Sequence, residues 1–157
     1  MKALAGTGEL IRVVARRDRI LLAIWVVGVA LVPMGLAASA EELYPTARAL
    51  RAYAQESMSN PAILGMLGPV YAPTLGGLTA WRVGVMGMLF GGLPSLLLVI
   101  RHTRAEEEAG RRELLGGGVV GRQAPLTAAL VVTLAANLVL AALVAVGLMA
   151  IPSLDAL

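Results

Sequence analysis

The chain has 157 residues, 58% hydrophobic and 15% charged, with a formal net charge of +3 and a mean hydropathy of +0.79. A soluble domain carries about 25% charged residues, so this balance places the chain in the membrane class. With no cysteine, a disulfide framework, a thiol nucleophile and a cysteine-based metal site are excluded, and with a single histidine no metal enzyme is expected. The basic residues also hug the ends of apolar runs, which is how topology determinants are distributed and not how a nucleic-acid surface is built.

The first predicted element is an amphipathic helix from Thr7 to Arg19. Thr7 can cap it, and Glu9 lies in its first turn. Arg12, Arg16 and Arg19 fall on one face, and Leu10, Ile11 and Val14 on the other. Such a helix lies in the headgroup layer with its arginines against anionic lipid. The first span follows at Ile20–Ala40, a run without charge. About 20 apolar residues cross a hydrocarbon core as a helix. Arg16-Arg17 ahead of this run and Ala38-Ser39-Ala40 behind it imitate a cleavable signal. The run is longer than a signal core and further spans follow, so a retained span is expected.

Residues 41–82 are a connection too long for a tight loop. Ala47, Leu50 and Ala54 make one apolar face, which predicts a short helix from Thr46 to Ser57. Asn60-Pro61 ends it. Gly68-Pro69, Pro73 and Gly76-Gly77 then punctuate a stretch expected to pack back over the ends of the spans. The second span is Val83–Ile100. Pro33 and Pro94 should kink spans one and two. Gly87, Gly91 and Ser95 recur every four residues, a small-residue stripe suited to helix packing.

Residues 101–123 bring dense alternating charge between two uncharged runs. Glu107–Arg111 and Glu108–Arg112 are i,i+4 pairs in the favourable order, and Arg104–Glu108 is a third in the weaker order. Polarity runs nearly all round, so this helix stands in water. Leu114 and Leu115 form an apolar tip, and Gly116-Gly117-Gly118 ends the helix. His102 is read as a solvated residue at the membrane boundary. The third span covers 124–151, with Asn137 near its middle as a helix-packing or pathway residue. Residues 152–157 form a short tail.

Ten Lys and Arg residues precede span one or lie between spans two and three, against three between spans one and two and none in the tail. The excess marks the cytoplasmic side. It puts the N-terminus and 101–123 inside and 41–82 and the C-terminus outside. Tyr44, Tyr71 and Trp81 then lie near the outer interface, where such rings sit. The expected fold is an all-α membrane protein with three transmembrane helices, an interfacial amphipathic helix and a cytoplasmic helical hairpin. No nucleophile–base pair or carboxylate dyad is visible, so no enzymatic activity is expected of the chain itself.

The charged sequence Glu106-Glu107-Glu108-Ala109-Gly110-Arg111-Arg112-Glu113-Leu114-Leu115, then Val119-Val120-Gly121-Arg122, resembles the first cytoplasmic loop of type-2 ABC exporter permeases. Leu43-Tyr44-Pro45-Thr46, Asn60-Pro61-Ala62, Gly68-Pro69-Val70-Tyr71 and Gly76-Gly77-Leu78-Thr79-Ala80-Trp81-Arg82 are similar to the actinobacterial branch of polyketide-antibiotic exporters. The resemblance implies a membrane-spanning part of an exporter of antibiotics or other hydrophobic small molecules in the bacterial cell membrane. It implies that Glu106, Glu107, Glu108, Arg111, Arg112, Glu113, Leu114 and Leu115 dock a separate ABC ATPase. No Walker A sequence is present, so ATP would be bound by that partner and no cofactor by this chain. Family permeases have more spans, so the resemblance also implies an N-terminal piece whose partners include the remaining permease spans or a second permease copy. The alternative reading is a non-transporting membrane scaffold or an inactive truncated remnant.

Overall fold

A computed structural model describes residues 2–108, 121 and 123–151. The protein is an all-α membrane protein, with six α-helices and a 3-10 turn at Lys2–Leu4 among the described residues. The helices are α1 (Thr7–Arg17), α2 (Arg19–Leu43), α3 (Ala47–Ser59), α4 (Pro61–Leu67), α5 (Leu75–Glu108) and α6 (Ala124–Met149). Among the described residues, three segments are long and apolar enough to cross a bilayer: Arg19–Leu43, Leu75–Thr103 and Ala124–Met149.

Helix starts follow local capping chemistry, and here the sequence expectations need correction. Thr7 does not cap α1. Its hydroxyl donates to the Leu4 carbonyl at 2.7 Å, and Gly6 takes the cap position at φ 79°, a left-handed conformation that glycine adopts without strain. Thr46 does cap α3, its hydroxyl oxygen accepting from the Ala49 N–H at 3.2 Å. Asn60-Pro61 ends α3 but also begins α4. The Asn60 carboxamide oxygen accepts from the Ala62 and Ile63 N–H groups, and Pro61 occupies the first helical turn, where its missing N–H costs nothing.

The largest difference is at span two. Its helix begins at Leu75, eight residues before the expected Val83. Gly76-Gly77 and Arg82 hid this start, since they read as loop. The Thr74 hydroxyl oxygen accepts from the Gly77 N–H at 3.1 Å and supplies the cap.

The chain divides into two compact units, Met1–Val26 with Gly91–Val139, and Val27–Phe90 with Leu140–Leu157. In the first, α6 buries Ala124, Ala128, Ala129, Val132 and Ala136. A face of such small side chains lets helices approach closely, which is the main source of packing energy between helices in lipid. In the second, Leu50 and Ala54 of α3 cluster with Ala40 of α2, with Leu75 and Leu78 of α5, and with Val70. Tyr44, Tyr53 and Trp81 pack against that cluster. The connection between spans one and two therefore folds back on the ends of the spans it joins.

Candidate functional site

Among the described residues, three polar constellations interrupt this apolar frame. The first lies at the base of the charged segment. Asp18 sits at the corner between α1 and α2. Its N–H donates to the Val14 carbonyl and its own carbonyl accepts from Leu22, so one residue closes the first helix and opens the second. Its carboxylate is 2% exposed. Arg101 Nη2 lies 3.4 Å from Oδ1, and His102 Nε2–H donates to Oδ2. A buried carboxylate is tolerated only when its oxygens are partnered, and here both are. The expectation that His102 is solvated is thereby corrected, since its side chain is 10% exposed and turned onto Asp18.

The second constellation joins spans two and three. The Asn137 amide donates to Ser95 Oγ at 2.8 Å and to the Thr133 carbonyl at 2.9 Å. The Ser95 hydroxyl donates in turn to the Gly91 carbonyl at 2.6 Å. Of the small-residue stripe, Ser95 makes the contact between helices. A Cβ at Gly91 would meet nothing within 4 Å, and one at Gly87 would meet Val83 of the same helix at 3.3 Å. The close approach that glycine permits is found instead at Gly147, where a Cβ would collide with the Met34 side chain. Gly87 lines a cavity of about 140 Å³ with Val32, Pro33, Phe90, Leu140 and Val144.

The third constellation lies between α3 and α5. Arg82 Nη2 donates to the Tyr53 hydroxyl at 2.5 Å, and its guanidinium carbon lies 4.8 Å from the Tyr53 ring centroid. The Tyr44 and Tyr53 rings are 4.8 Å apart. Trp81 Nε1–H donates to the Gly68 carbonyl at 2.9 Å. Burial alone would push the Tyr53 phenol up. Hydrogen bonds with Arg82 and Ser57, and the charge of Arg82, bring it net below its ordinary value of 10.0.

No protein-family model matches the chain. The chain is 42% identical, over 147 residues and 92% of its own length, to a multidrug efflux system permease protein of Mycobacterium tuberculosis. It spans about a quarter of that relative's length, 26%.

Within that similarity, the structure locates the sequence-predicted residues unevenly. Glu106, Glu107 and Glu108 form the last turn of α5, so the span-two helix runs into the charged segment without a break. Arg111, Arg112, Glu113, Leu114 and Leu115, and with them the Glu107–Arg111 and Glu108–Arg112 pairs, lie outside the described residues. Ser95 and Asn137 are brought together. Sequence reasoning passed over Asp18. The signal available was a lone carboxylate at a membrane boundary, where an ionisable group needs a named partner. Its neighbours Arg17 and Arg19 offered partners in sequence, while those it takes are on α5, His102 among them at a separation of 84 residues.

Proposed function

We propose that the chain is a membrane-spanning part of an ABC-type exporter of hydrophobic small molecules, antibiotics among them, driven by a separate ATPase that docks on residues 101–115. The observation that carries this reading is the 42% identity, over nearly the whole chain, to a protein named as a multidrug efflux permease. The geometry of α5 supports the coupling step. Its last eight residues, 101–108, carry the helix about 12 Å past the apolar run at 1.5 Å per residue. A helix continuous from bilayer to charged segment acts as a lever: closure of an ATPase dimer on residues 101–115 would tilt span two with it. ATP would be bound on the partner and no cofactor by this chain.

The remaining spans, or a second permease copy, would complete the path. Support comes from span two, whose most apolar stretch has only 6% of its residues buried within the chain. That surface needs lipid or further helices against it. The proposed arrangement in the bacterial cell membrane keeps the N-terminus and 101–123 in the cytoplasm, with 41–82 and 152–157 outside.

The test introduces Leu114→Cys into a chain that has no natural thiol. Crosslinking to an ABC ATPase subunit in native membranes is the expected result. Labelling by an impermeant reagent from outside would overturn the orientation. Glu107→Lys with Glu108→Lys, or Leu114→Asp with Leu115→Asp, should abolish co-purification of the ATPase, and unchanged co-purification would sink the docking assignment.

A further inference from the structure

We infer that Asp18 is the positioning residue of the charged segment, clamping the point where that segment leaves span two to the corner between α1 and α2. The inference rests on the docking reading above and adds a residue outside the docking segment. Arg101 and His102, where the segment begins, both engage the Asp18 carboxylate. The segment's return is tied to the same stretch of chain. Gly121 N–H donates to the Ala5 carbonyl at 2.9 Å, and Gln123 N–H donates to the Ala3 carbonyl at 3.1 Å. Residues 3–18 therefore hold both ends of the segment.

Stability alone is a poor reason for such a site. A buried ion pair is often no more stabilising than apolar side chains of the same volume, and its best-attested use is to fix one register among several. Register is what this place needs. The corner carries Arg16, Arg17 and Arg19, and without a carboxylate it would repel Arg101. Asp18 converts a repulsive contact into one that accepts a single placement of Arg101 and His102. A load applied to the charged helix then reaches α1 and α2 as well as span two.

The test uses the full-length protein in native membranes with its co-purifying ATPase. Asp18→Asn keeps the shape and removes the charge, and Asp18→His with His102→Asp restores the pair in reverse. ATPase capture should fall about tenfold or more for Asp18→Asn, as expected for losing hydrogen bonds to a charged group, and recover in the reversed pair. Membrane content should stay unchanged, and any fall in thermal aggregation temperature with Asp18→Asn should be recovered by the reversed pair. Unchanged capture overturns the positioning role. So does a loss that the reversed pair fails to restore. Should the wild-type chain capture no ATPase, the docking reading fails instead and the clamp is read alone. Ala3→Cys with Gln123→Cys is then oxidised in both backgrounds, since a loosened corner lets α1 swing away from its second tie. Disulfide formation several-fold slower with Asp18→Asn supports the clamp, and equal rates overturn it.

Discussion

Replacing Tyr53 by Phe removes the bond that fastens α3 to the start of span two, together with a bond to Ser57 within α3 itself. The substitution removes the hydroxyl that accepts from Arg82 and leaves the ring, so the 4.8 Å contacts with Arg82 and with Tyr44 remain. A hydrogen bond to a charged group contributes about 1.5–3 kcal/mol, and the half-exposed site argues for the lower end, about 1.5 kcal/mol. That corresponds to about a tenfold rise in the population of molecules with α3 undocked. Tyr53→Leu also removes the cation–π and ring–ring contacts, which add about 1–2 kcal/mol together. A further rise of roughly tenfold in undocking is expected from that second loss. Amide hydrogen exchange of the full-length protein in lipid nanodiscs reads this directly, because local opening sets the exchange of the helix that opens. Exchange in α3 should rise stepwise from wild type to Phe to Leu, with α6 unchanged. An α3 protected equally in wild type and Tyr53→Phe would refute the assignment of the Arg82 bond. A rise spread evenly over α3 and α6 would refute its local character.

The same phenol sets a pH dependence. Its ionisation in the folded state falls below 10.0, so stabilisation from its ionised form is absent below that lowered value and grows as pH rises towards and past 10.0. Trp81 fluorescence in a Trp25→Phe background should report tighter docking as pH is raised through this window, and Tyr53→Phe should abolish the change. Asn137→Leu and Ser95→Ala should each cost about 0.5–1.7 kcal/mol, the span of interhelical hydrogen bonds measured in membranes. Their double mutant should cost less than the two added together, as read by denaturant unfolding in micelles, since they share one bond. Gly77→Ala should reduce folded yield more than Gly147→Ala. A Cβ at Gly77 would strike the Ala72 backbone carbonyl, whereas the atom met at Gly147 is the mobile end of Met34.

Spans and their order were legible from the length of uncharged apolar runs, and the outer helix from its hydrophobic periodicity. Thr46 and Asn60 were legible as the limits of α3, although the N–H groups that their side chains cap emerged only in the structure. The start of α5 was not legible, because a glycine pair weakens any helical pattern and tertiary burial of Leu75 and Leu78 overrode that weakness. Asn137 stood out as an amide inside an apolar run, but its partner Ser95 could be read only as one member of a stripe. Asp18 shows the deeper limit. Its environment is assembled from a helix far along the chain, and four neighbouring charges in a row gave no hint of which would be buried. Tyr53 and Arg82, 29 residues apart, were hidden for the same reason: nothing in either local stretch specifies the other.

The buried side of α6 has a consequence for how this helix can change over generations. Ala124, Ala128, Ala129 and Ala136 are already near the smallest side chain available, so almost every substitution there enlarges the residue and forces a neighbouring helix outward, at a cost of about 1–3 kcal/mol. Leu130, Leu134 and Leu138 are exposed on the other side, where apolar residues can replace one another freely against hydrocarbon. Drift along the helix is therefore channelled to one stripe. Two descendants of this chain would come to differ in what they show to lipid long before they differ in how their helices meet.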